Sequence, residues 1–288
     1  MDWVNAIVQG VLLGGLYALF ACGLSLIFGV MRLVNIAHGD LIVLASFIGL
    51  AVAEGLGLHP FVCLVVVVPV MFAIGYALQR GLLNLTLGAD ILPPLLVTFG
   101  LSIIIQNALL EAFSANTRKL TGGSIEVESL KIVEGLSVGV LPVIVFVSAA
   151  AVIAGLQLVL FRTSLGSAFR ATSDDPETAR LMGIDNRHIF ALAMAMSLAV
   201  VAIAGIFLGM RSNFDPSIGP ARLLFAFEAV IIGGLGSLWG TLAGGVILGV
   251  AQTLGAQIDP GFQILAGHIA FLIILIVRPR GLFPRAVD

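Results

Sequence analysis

Residues 138–188 read VGVLPVIVFVSAAAVIAGLQLVLF followed by RTSLGSAFRATSDDPETARLMGIDNRH. The first part, 138–161, holds no charged residue, whereas the second, 162–188, holds four arginines and four acids. The apolar run predicts a helix that crosses a bilayer, because about 20 residues at about 1.5 Å each span the hydrocarbon core. The abrupt change at Arg162 marks where the chain leaves lipid. Inside the polar stretch the spacing predicts a short helix over 176–182. Asp174 or Asp175 supplies its cap, Pro176 suits its first position and Glu177 complements its dipole. Gly183 suits its left-handed stop. A turn carrying Arg170 and Ala171 precedes it. A helix this short is marginal alone, so either a neighbour holds it or the stretch is a solvated linker.

The rest of the chain repeats the first part of that pattern. Of 288 residues, 59% are hydrophobic and 10% charged, against about 25% charged in soluble domains. This is the composition of an integral membrane protein. The apolar runs are continuous rather than alternating, which selects helices over a membrane barrel. Segments fall at roughly 6–30, 40–56, 60–80, 92–113, 138–161, 189–210, 225–238, 241–257 and 262–278. The seventh is short, contains Gly233, Gly234 and Gly236, and reads as a broken or re-entrant helix. The expected fold is all-α: one polytopic helical bundle over 1–288 with eight or nine membrane segments. No Lys or Arg precedes Arg32, so the first apolar run is expected to remain a membrane helix rather than a cleaved signal.

Orientation follows the placement of Lys and Arg. One side collects nine of them, at 32, 80, 162, 170, 180, 187, 278, 280 and 285, and the other five, at 118, 119, 131, 211 and 222. The bias puts 162–188 and the C-terminus in the cytoplasm and 114–137 outside, where it reads as an exposed connection. The net charge of −2 argues against a nucleic-acid partner. Cys22 and Cys63 lie in apolar runs and read as packing residues. Small residues recur four apart at Gly10/Gly14, Gly205/Gly209, Gly236/Gly240/Gly244 and Gly245/Gly249, which lets helix backbones approach closely. The density of glycine over 233–249 also suggests helices that move.

Enzyme motifs fail. A phosphate-binding loop ends in Gly-Lys-Ser/Thr, but the two lysines follow Arg118 and Leu130. Gly135-x-Ser137-x-Gly139 matches a hydrolase pattern without an expected strand–turn–helix setting. His38, His59, His188 and His268 show no metal-ligand spacing. No cofactor is expected in this chain.

Glu177-Thr-Ala179-x-x-x-Gly183 resembles the Glu-Ala-Ala-x-x-x-Gly loop of ABC importer permeases, with Thr178 for the first Ala and without the downstream Ile-x-Leu-Pro. The wider pattern is similar to the permeases for branched-chain, hydrophobic amino acids. It is carried by Gly15-Leu-Tyr17-Ala-Leu with Gly23-Leu-Ser-Leu-Ile-Phe-Gly29, by Asn35-Ile-Ala-His38-Gly39-Asp40, by Thr98-Phe-Gly100 through Gln106-Asn107, and by Gly233-Gly234-Leu-Gly236 with Gly240 to Gly245. The chain departs from the family pattern at Phe47 and at Glu111-Ala-Phe113. The resemblance implies an ABC importer permease fold in a bacterial inner membrane. It implies a second, related permease, two cytoplasmic ATPases that bind the ATP, and a periplasmic or extracellular binding protein. Arg170, Ala171, Asp175, Pro176, Glu177, Ala179, Gly183 and Ile184 would then couple to an ATPase.

Polar residues inside the membrane are costly and tend to be functional. Asn35, His38, Gly39 and Asp40 cap the second helix or line a gate or path. Gln106 and Asn107 suit hydrogen bonds between helices. Glu228, read at the outer end of the seventh segment, faces a water-filled path or pairs with Arg222. Gly233, Gly234 and Gly236 join this candidate path, and His268 reads as a packing residue. Two other functions stay open. One is a permease for urea, short amides or another small polar solute. The other is an ion-coupled secondary transporter.

Overall fold

The computed structural model of the chain describes residues 2–88, 90, 92–133 and 136–283. Nine apolar helices appear in the expected order: α1 (Asp2–Met31), α2 (His38–Leu56), α3 (Pro60–Gly81), α4 (Leu92–Phe113), α5 (Val140–Arg162), α8 (Asn186–Arg211), α9 (Gly219–Gly233), α10 (Leu238–Ile258) and α11 (Phe262–Val277). Two polar helices, α6 (Ser164–Asp174) and α7 (Pro176–Leu181), occupy the charged stretch. Among the described residues seven helices have the length and apolarity to cross a membrane, and α9 and α11 are shorter.

Helix α1 is the axis of the bundle, buried from Leu12 to Ile27 without a break. It crosses α10 through facing glycines. A Cβ on Gly14 would stand 2.4 Å from the Val246 Cα, and one on Gly249 would stand 2.3 Å from the Gly10 carbonyl oxygen. The spacing of small residues therefore does what it suggested, bringing two backbones into contact.

Side-chain contacts fix the two ends. Arg80 pairs with Asp185, and Ser173 donates to the Gly29 carbonyl, so α1, α3, α6 and α8 share one end. Gln9 donates to the Ser137 carbonyl, and His59 bonds the Gly122 carbonyl, at the other. The N-terminus thus lies opposite α6 and α7. The nine-against-five arginine and lysine split follows these ends; Arg285 lies outside the described residues. The outer connection is more ordered than expected. It contains the antiparallel hairpin β1 (Ser129–Val133) and β2 (Leu136–Gly139), and β2 runs straight into α5. Ser137 therefore does precede a helix from a strand, but Gly135 of that motif lies outside the described residues.

Two helices begin partway along the length of the bundle rather than at one of its ends. The His38 Nε2 sits 2.9 Å from the Phe20 carbonyl oxygen. That level is roughly 16 Å from the Met31 end of α1 at about 1.5 Å per residue. After α1 the chain turns at Arg32, φ 52°, and folds back before α2 starts. Helix α9 begins at Gly219, against α2's first turn. It ends at Gly233, followed by Gly234 at φ 104° and Gly236 at φ 80°. The seventh segment is therefore 219–233 rather than 225–238, with its glycines forming the turn into α10.

Candidate functional site

The charged stretch builds an elbow of two capped helices. Thr163 caps α6 by accepting from the Gly166 amide, so the expected turn around Arg170 is instead an 11-residue helix. Arg170 folds back. It donates to the Leu160 carbonyl and to Ser167 Oγ at 3.3 Å, and its guanidinium lies 5.2 Å over the Phe161 ring. Ala171 is exposed on the far side.

Asp175, not Asp174, caps α7. Its Oδ1 accepts from the amides of Glu177 and Thr178 at 3.0 and 3.1 Å, and its Oδ2 from the Thr178 hydroxyl at 2.5 Å. That hydroxyl, then the Thr178 amide, hold the Asp175 carboxyl below the usual carboxylate range against some desolvation, with the Glu177 amide adding to them. Pro176 takes the first helical position and Glu177 the first turn, both exposed. The helix stops through paired bonds, Gly183 amide to Arg180 carbonyl at 3.0 Å and Ile184 amide to Ala179 carbonyl at 3.1 Å. This pattern needs the left-handed Gly183, φ 87°.

Ala179 is buried and Ile184 half-buried, which seats α7 on the bundle. Asn186, the first residue of α8, donates to the Pro176 carbonyl at 2.6 Å. Sequence reasoning missed Asn186. It also missed Leu181 and Met182, which stand 83% and 79% exposed at the tip. Their signal was available: two adjacent large apolar residues inside a charged run.

A second cluster lies where α2 and α9 begin. Asn35 Oδ1 accepts from the Ala37 amide at 3.0 Å and closes the turn before α2, and Ala37 itself gives no side-chain cap. Asp40 does not cap. Its Oδ2 accepts from Ser102 at 2.5 Å and its Oδ1 from Gln106 at 2.9 Å, both on α4. Asp40 is 1% exposed. A Cβ on Gly219 would stand 2.0 Å from Asp40 Oδ1, and one on Gly39 would stand 2.0 Å from the Gly219 carbonyl oxygen. Two helix N-termini, each carrying partial positive charge, thus meet beside one buried carboxylate. His38 is fully buried. Since a carbonyl only accepts, its Nε2 carries the proton, and Nδ1 has no partner among the described residues. Gln106 bonds across helices as expected, but Asn107 only returns to the Ile103 carbonyl of its own helix. The two departures at Phe47 and Phe113 are neighbours, their rings 4.7 Å apart.

Glu228 lies inside α9 and is 2% exposed, not at an outer end. It pairs with His268 of α11 rather than with Arg222, so His268 is a polar partner and not simply a packing residue. An ionised Glu228 requires His268 Nδ1 to carry the proton. Nearby, the Tyr17 hydroxyl donates to Gln252 at 2.6 Å. Arg211 and Arg222 are close enough to act on Tyr17 electrostatically. Gly233 packs on α10, a Cβ there falling 2.1 Å from the Gly240 carbonyl oxygen. The candidate path residues therefore separate into two buried polar clusters and one glycine turn, all distant in sequence from the elbow.

The family described as "Branched-chain amino acid transport system / permease component" matches residues 6–278. The high-affinity branched-chain amino acid transport system permease protein BraD of Pseudomonas aeruginosa is 30% identical over 297 residues, covering 98% of this chain and 96% of that protein. LivH of Escherichia coli K12, a permease protein of the same description, is 26% identical over 304 residues, covering 98% and 96%. LivM of the same organism, again so described, is 29% identical over 127 residues, covering 43% of this chain and 30% of that protein.

Proposed function

This chain belongs to the permease-component family of branched-chain amino acid transport systems, and from that premise we propose that it forms part of the membrane path of an ATP-driven importer for branched-chain, hydrophobic amino acids in a bacterial inner membrane. A second permease completes the path. LivH and LivM are two permease proteins of one description in one organism, and this chain matches the first almost throughout and the second over 43% of its length. Two cytoplasmic ATPases bind at the arginine-rich end, and a soluble binding protein delivers substrate at the other.

The observation that carries this reading is α7. A helix of six residues does not persist alone. This one is capped at both ends, tied to α8 by Asn186, and presents Leu181 and Met182 outward. Exposed apolar side chains on a fixed support suit a groove in another subunit. ATP binding by the partners moves α7, and the motion passes into α8. The binding free energy that differs between the two ATPase states sets which side of the path is open. At the α2–α9 junction, two helices that begin partway through the bundle give a place where the path opens and closes.

Leu181→Cys in living cells, treated with a thiol cross-linker, is expected to capture a subunit containing a phosphate-binding loop. Failure to capture one, together with ion-gradient-driven uptake in liposomes holding only this chain, would replace this reading with a secondary transporter.

A further inference from the structure

A cavity of about 350 Å³ opens on the flank of the bundle at the arginine-rich end, between α1, the last turns of α5, α6 and the start of α10. Its volume is that of a small-molecule site, about 300–1,000 Å³. Ser25, Leu26, Leu160, Phe161, Arg170 and Trp239 are among its lining residues. The walls are mostly hydrocarbon, yet Ser25 is 1% exposed and its hydroxyl has no partner among the described residues. A buried hydroxyl without a partner is destabilising, which marks a place where a ligand atom belongs.

Three observations fix the chemistry. Phe161, which lines the cavity, and Leu158, three residues earlier on α5, are 58% and 61% exposed. Apolar exposure on the flank of a membrane bundle faces lipid, so access is from the bilayer. Trp239 is 48% exposed in the first turn of α10, the place of an interfacial anchor. Arg170 has no carboxylate within ion-pair distance among the described residues. Its bonds to Leu160 and Ser167 leave further donors of its five. Ser25 lies roughly 9 Å along α1 from Met31 at about 1.5 Å per residue, below the level of α6, which Ser173 pins to Gly29.

We propose that this cavity is a binding site for an anionic phospholipid of the adjoining leaflet. The headgroup phosphate meets Arg170, the glycerol lies along Leu26 and Phe161, an ester carbonyl accepts from the Ser25 hydroxyl, and one acyl chain runs on past Gln157 into the bilayer. Basic pockets between membrane helices bind acidic headgroups in this way. The site rests on the membrane-spanning fold alone and needs no ATPase.

The test uses the full chain in lipid nanodiscs with phosphatidylglycerol carrying a photoactivatable group on the acyl carbons next to the ester, and the matching phosphatidylcholine. Labelling should map to peptides covering 157–170 and 236–239, several-fold stronger for phosphatidylglycerol. Arg170→Gln should reduce phosphatidylglycerol labelling to the phosphatidylcholine level. Ser25→Leu, which fills the cavity, should reduce both. Labelling spread evenly over the exposed faces of α3 and α4, or equal for the two lipids in the unmodified protein, would overturn the proposal even if a variant fails to fold. Competition by free inorganic phosphate would also overturn it, since the anion would then be a soluble one.

Discussion

At the residue scale, single side chains decide whether polar groups in this bundle have partners. Asp175 titrates below its unfolded value because the Thr178 hydroxyl leads the bonds that hold its ionised form. A depressed carboxyl contributes fully above the ordinary value of about 3.9, and the contribution is lost as pH falls through the folded-state value. Amide protection over 177–184, corrected for intrinsic exchange, should therefore hold from neutral pH down through about 4 and decline only below it. Asp175→Asn, which still caps, should flatten that decline. An unchanged decline in Asp175→Asn would assign the effect elsewhere. Glu228 offers a harsher case. Its pairing with His268 leaves Oε2 without a partner among the described residues. His268→Leu removes the remaining bond to a buried carboxylate and should destabilise the protein by about 3–5 kcal/mol. Adding Glu228→Gln should recover a substantial part. Thermal unfolding in detergent measures both, and no recovery in the double variant would show that the ionised carboxylate is not what made the single variant unstable.

At the element scale, the sequence was transparent where length and period carry the information and opaque where depth does. Apolar runs gave nine segments, and the glycine spacing gave the α1–α10 seam. Asp-Pro-Glu followed by Gly183 gave both ends of α7. What no pattern revealed is that α2 and α9 start partway along the bundle, because a stretch of apolar residues reads the same whether it begins at one end or halfway through. The Asp40–Ser102–Gln106 cluster was hidden for the same reason: its partners lie on α4, 62 and 66 residues away. Glu228 was placed at a helix end because the boundary of α9 was read six residues late. The junction of the α2 and α9 N-termini makes a sharp prediction. Gly219→Ala puts a methyl group 2.0 Å from Asp40 Oδ1, so it should cost about 1–3 kcal/mol of overpacking. Gly155→Ala on α5, where an added Cβ meets nothing within 4 Å, should keep or slightly raise stability, since alanine is the better helix former. Equal unfolding temperatures for the two variants would mean that the α2–α9 contact is not tight.

At the scale of the whole molecule, the question is whether the elbow and the α2–α9 junction belong to one moving body. Asn186 ties α7 to α8, and α8 runs from that contact past Ser197, which donates to the Gly23 carbonyl at 2.8 Å, to Gly205, whose carbonyl accepts from Ser46 of α2 at 2.8 Å. A continuous helix therefore links the proposed ATPase seat to the element that carries Asp40. A variant that leaves the seat present but loose tests whether this link carries coupling. Gly183→Pro does this. Proline fixes φ near −65° and removes the amide that bonds Arg180, whereas the native residue needs φ 87°. Gly183→Asn tolerates the left-handed conformation and keeps the amide. In reconstituted complexes, ATP hydrolysis with Gly183→Pro should no longer respond to the loaded binding protein, while Gly183→Asn should retain most of the response. Asn186→Ala should weaken the response too, and combining it with Gly183→Pro should add nothing, because both act on one linkage. Full stimulation by Gly183→Pro, at normal assembly of the complex, would mean that motion enters the bundle by another route, and α7 would be a docking point only.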